Sequence, residues 1–151
     1  MNEKLESLFD KEQTSTAIHN LVYEFHTDLD LVLSDNEPVS NMELNDFFLL
    51  VKNIPYRKDI KPIEIICRPY YIFKHAGLGM DCKKKCIVLA SWCECNDFNY
   101  RLIGSSSRSD KRVHHIFPQI FINGKWKNID ATYSHYKLFE PKTNITYSEV
   151  L

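Results

Sequence analysis

The sequence lacks a long apolar run. No stretch approaches the ~20 residues needed to cross a bilayer, and the opening "MNEKLESLFDKEQ" is acidic and mixed, without the apolar centre of a signal peptide. It also lacks an excess of one charge. The 19 Lys and Arg stand against 20 Asp and Glu, and the basic residues are spread along the chain. With that balance and spread, nothing in the sequence points to nucleic acid or to an anionic membrane surface as a partner. Internal repeats, low-complexity segments and an Asp-rich calcium loop are all missing. Neither "CKKKC" nor "CEC" has the spacing of a structural zinc knuckle. The adjacent histidines of "VHH" point to opposite faces of a strand, so both cannot ligate one ion. No metal or other cofactor is expected.

Paired cysteines are wanting too. Cys67, Cys82, Cys86, Cys93 and Cys95 make an odd number. With no leader, this predicts reduced thiols and a cytoplasmic setting, or a particle assembled in one. The "NIT" at 144–146 then carries no glycan.

What is present suits one soluble domain: 151 residues, 44% apolar and 26% charged. Residues 15–33 place Ile18, Leu21, Val22, Phe25, Leu29 and Val32 at three- and four-residue intervals, which predicts an amphipathic helix capped by Thr14 or Ser15. "SDNEPVS" breaks the pattern. "NMELNDFFLLVKN" predicts a second helix, with Ser40 and Glu43 at capping-box spacing. "IEIICRPYYIF" (63–73) reads as an extended segment interrupted by Pro69, and "GSSSRSDKR" as an exposed polar loop. A third helix starts at Cys82, with Cys86, Leu89, Ala90 and Cys93 on its buried stripe. The class is α+β: helices first, a central helix, then an antiparallel sheet. We expect a single domain over 1–151, with a helical extension at 1–53 and the core at 54–151.

Within this frame one cysteine stands out. "GLGMDC" places Cys82 where a glycine-containing loop becomes a helix, and free backbone N–H groups and the helix dipole favour thiolate there. Asn123-Gly124 is a preferred type I′ hairpin turn, which fixes register. Ile122 faces Lys125 and Phe121 faces Trp126. One strand face then carries His115, Phe117, Gln119 and Phe121 with Trp126, Asn128, Asp130 and Thr132, and puts Asp130 one diagonal step from His115. Pro118 qualifies this, because a bulge there would exchange His115 for His114. A thiol at a helix start, a strand histidine and a carboxylate on the histidine's face form a Cys-His-Asp set: nucleophile, base and orienter. Phe117 flanks the histidine and can shield it. Tyr70 and Tyr71 are candidates for the cleft wall, and "KKK" reads as a solvated face.

The block "GMDC…HHIFPQIFINGKWKNIDAT", with "IPYRKD" and "RPYYIF" upstream, resembles the transglutaminase-like superfamily, closest to its small bacterial and prophage versions. The resemblance covers roughly residues 54–132. It implies a papain-like fold with Cys82 as nucleophile, His115 as base and Asp130 as third member, acting on an amide in a protein or peptide through a thioester. Met80, Gln119 and Ala131 depart from the usual glycine, glutamate and proline, and Lys83 and Lys84 stand where acidic residues are common. The expected activity is thiol-dependent amide hydrolysis. The alternatives are a true transglutaminase with an amine acceptor and a non-catalytic interaction module, such as a phage structural or assembly protein.

Overall fold

The computed structural model describes residues 11–58 and 66–151. In chain order the helices are α1 (Lys11–Phe25), α2 (Leu44–Lys52), α3 (Pro69–Lys74) and α4 (Cys82–Cys95). The strands are β1 (Leu33–Ser34), β2 (Glu37–Pro38), β3 (Tyr100–Ser106), β4 (His115–Ile122), β5 (Lys125–Asn128) and β6 (Tyr147–Val150). β1 and β2 form a small hairpin, and the other four make an antiparallel sheet in the order β5-β4-β3-β6. The class is α+β, as the element order predicts. No helix among the described residues is long and apolar enough to cross a membrane.

α4 is the element on which the rest is assembled. Asp81 caps it, accepting the Lys84 N–H at 3.0 Å. Asn96 closes it, its side-chain amide donating to the Trp92 carbonyl at 2.9 Å. Every residue from Lys85 to Cys93 is buried, so the helix is enclosed on all sides and not along one stripe. Ile18 and Val22 of α1, Phe47, Phe48 and Val51 of α2, and Ile72 of α3 share one apolar cluster with it. Leu102, Ile116 and Ile120 close the same cluster from the sheet.

Several local expectations are corrected by long-range contacts. The first helix contains Thr14 and Ser15 and gives way to a 3₁₀ turn at His26–Asp30. There the buried Asp28 is drawn to Arg68 at 2.8 and 2.7 Å and to the Tyr70 N–H at 3.0 Å. Ser40 does not cap α2; its hydroxyl donates to Asp30 at 2.5 Å, and the helix begins at Leu44. Pro69 opens α3 at a position where a helix needs no N–H, so the second half of "IEIICRPYYIF" is helical. Ile63, Glu64 and Ile65 of that stretch, Asp59 of "IPYRKD" and residues 1–10 of the leader reading lie outside the described residues. Gly104, Ser105 and Ser106 belong to buried β3, and the exposed loop begins at Ser107.

The hairpin follows its sequence. Asn123 and Gly124 have φ of 52° and 76°, and the ladder pairs Ile122 with Lys125, Phe121 with Trp126 and Gln119 with Asn128. Pro118 sits in the interior strand β4 without a bulge, since β3 pairs regularly from Ile120 to His115. It instead ends the neighbouring strand. Ile129 donates to the Pro118 carbonyl at 3.0 Å, proline has no N–H to return, and β5 stops at Asn128.

Candidate active site

The termination of β5 leaves Asp130 just beyond the sheet and on the face of His115. His115 Nε2 donates to Asp130 Oδ2 at 2.7 Å, and the imidazole is also hydrogen-bonded to the Cys82 thiol. With Nε2 committed to the carboxylate, Nδ1 is the nitrogen left to the thiol. The three residues singled out in the sequence therefore meet. His114 does not join them: its Nε2 accepts the Ser107 N–H at 2.9 Å, on the other side of the strand.

Asp130 is 3% exposed and fully satisfied. Oδ1 accepts the Thr132 N–H at 3.0 Å and the Thr132 hydroxyl at 2.5 Å, the two-residue turn an aspartate favours. Oδ2 is shared between His115 and Lys142, whose Nζ lies 2.5 Å away. Burial alone would raise the acid's pKa, but His115 and Lys142 outweigh it and hold it down to about 2. Burial likewise opposes charge on His115; the hydrogen bonds to Asp130 and Cys82 and their negative charge prevail and raise it to about 9. The imidazole is thus held as imidazolium at neutral pH. Phe117, buried, stacks beside it with ring centroids 5.7 Å apart and covers one side of the pair.

The loop before Cys82 is built by a close backbone approach. Met80 N donates to the Pro55 carbonyl at 2.9 Å and Arg57 N to the Met80 carbonyl at 3.0 Å. Gly79 makes this possible: its φ is +85°, and a Cβ there would stand 2.7 Å from the Arg57 Cβ. Tyr56 is thereby bridged to Met80, two residues before Cys82. Burial, then the charges of Cys82, Tyr133 and Asp81, push its phenol up to about 12, so it stays neutral at neutral pH.

Lys85 corrects the reading of "KKK" as a solvated face. Its side chain is buried at 1% exposure, one turn after Cys82. Nζ donates to the carbonyls of Ile54 (2.8 Å), Ala131 (2.8 Å) and Thr132 (3.1 Å). Burial lowers its pKa to about 8, yet at neutral pH it is still an ammonium with three protons and three acceptors. Lys83 pairs with Asp81 at 2.6 Å.

Thr132 could have been found in the sequence, because Asp-x-Thr is a turn signature. Lys142, Lys85 and Tyr56 carry no local signal of their roles. Tyr70 and Tyr71, candidates for the cleft wall, stack edge to face on α3, where the Tyr70 N–H serves Asp28. No disulfide joins the cysteines. Burial first, and nearby negative charge second, raises the thiol pKa of Cys86, Cys93 and Cys95. Comparison with family models, curated proteins and solved structures finds no match for this chain.

Proposed function

We propose that the chain is a thiol-dependent amide hydrolase, a cysteine peptidase or amidase with a papain-like, transglutaminase-like core. The observation that carries the reading is the imidazole of His115, bonded on one side to the Asp130 carboxylate and on the other to Cys82. His115 already holds the proton of the pair as imidazolium, so Cys82 reacts as the thiolate, and the sulfur attacks an amide carbonyl. The helix-start N–H of Cys82 donates to the oxygen as it gains charge. His115 returns the proton to the departing amine, leaving a thioester. Water, deprotonated by the same imidazole, then releases the acid. Asp130 keeps the ring aimed throughout. The absence of disulfides fits work in a reducing compartment.

The test is the pH dependence of alkylation at each cysteine by iodoacetamide, read by peptide mapping. An ordinary thiol gains reactivity near ~8.5. Cys82 should alkylate rapidly at pH 5–6 while Cys86, Cys93 and Cys95 do not, and His115→Ala should abolish that advantage. A Cys82 that titrates like an ordinary thiol in both proteins sinks the proposal.

A further inference from the structure

A row of aromatic rings starts at Tyr56, whose backbone bridges Met80, two residues before Cys82. Tyr56 packs on Tyr133 at 4.9 Å between centroids; Tyr133 meets Tyr136 at 5.2 Å and His135 at 5.8 Å; and His135 meets Tyr136 at 4.8 Å. Tyr56 and Tyr133 are each 37% exposed, and His135 is exposed. Buried packing does not account for rings left this open. Nor is the row a chance meeting of two loops. Lys85 bonds at once to Ile54, two residues before Tyr56, and to Ala131 and Thr132, just before Tyr133. The cation that underlies the nucleophile helix thus fixes both arms of the aromatic surface relative to Cys82. Met80 and Gly79 hold the Tyr56 arm from the other side.

We propose that this surface is the subsite for the acyl part of the substrate, and that the substrates are peptides carrying an aromatic side chain next to the scissile amide. The inference rests on the cysteine-hydrolase reading. The interplanar angles favour a ring over an aliphatic chain. Tyr56 and Tyr133 meet at 47°, Tyr133 and Tyr136 at 88°, so both ring faces and ring edges are offered. At the far end Lys142 lies 3.8 Å over Tyr136, which polarises the row toward Asp130.

The experiment compares two affinity reagents on the wild-type chain, acetyl-phenylalanine and acetyl-alanine chloromethyl ketone, with iodoacetamide as a reagent that has no side chain. In each ketone the Cys82 sulfur forms a bond to the methylene carbon as the carbon–chlorine bond breaks and chloride leaves. The phenylalanine reagent should label Cys82 about tenfold faster, the effect of one added aromatic contact. Tyr133→Ala should bring the ratio close to one, and Tyr133→Phe should retain it. Equal rates for the two ketones at a Cys82 that iodoacetamide labels at pH 5–6 overturn the aromatic subsite and leave the hydrolase reading standing. A Cys82 inert to all three at that pH overturns both.

Discussion

Asp130 receives four hydrogen bonds from three residues: two from Thr132 and one each from His115 and Lys142. A carboxylate shared between an imidazolium and an ammonium is a balance of like charges, because each cation makes the other less welcome. Lys142 sits 4.9 Å over Phe117, the ring that also covers His115. Replacing Lys142 by Met should therefore raise the titration of His115, followed by the NMR shift of its Cε1 proton, while Lys142→Arg keeps it near the wild-type position. An unmoved titration in Lys142→Met would show that the lysine is only a spacer. The members of the set differ in legibility for a physical reason. Cys82 follows a helix cap and His115 and Asp130 follow a hairpin turn, and both rules act over a few residues. Lys142 reaches Asp130 from a segment without regular structure, and no local pattern marks such a residue.

Among the elements, the loop before α4 is the most constrained. Gly79 needs both its positive φ and its missing Cβ, whereas a Cβ on Gly77 would meet nothing within 4 Å. Gly79→Ala should cost about 1–3 kcal/mol, and Gly77→Ala should change stability by under about 1 kcal/mol. Urea midpoints of the two variants check this, and equal midpoints would mean the loop can move aside. The same contrast runs through the fold. The α4 cap and the β4–β5 register obey local rules and appear where the sequence puts them. The 3₁₀ turn at His26–Asp30 and the helix at Pro69 do not. Both are tied to one ion pair, the buried Asp28 with the half-exposed Arg68, whose partners are far apart in sequence.

At the scale of the whole molecule, titration of the site is linked to folding. His115 rises from 6.5 to about 9, so its contribution is complete below pH 6.5 and is lost as pH climbs through 9. Asp130, lowered from 3.8 to about 2, contributes above pH 3.8 and loses its contribution as pH falls through 2. Lys85 works in the opposite sense. Lowered from 10.5 to about 8, it costs stability below 8, and that cost lifts as pH rises toward 10.5. Stability should be greatest between about pH 4 and 6.5, fall to about pH 8, and then flatten as Lys85 offsets His115. In His115→Gln the fall between 6.5 and 8 should vanish. Urea midpoints across this range measure it, and parallel curves for the two proteins would refute the linkage. Residues 11–53 belong to the same balance, since Ile18, Val22, Phe47 and Phe48 lie in the cluster that encloses α4.

To an amine-acylating reagent, the three consecutive lysines of "KKK" are three different targets. Lys83 is half-buried and paired with the buried Asp81, Lys84 is half-buried on the helix, and Lys85 is enclosed with all three protons given away. Acylation of Lys85 demands that the turn behind Asp130 and the loop before Arg57 first come apart. The order in which these neighbours are modified is therefore a chemical clock for opening of the cluster formed by Cys82, His115 and Asp130, written into a run that reads in sequence as one repeated letter.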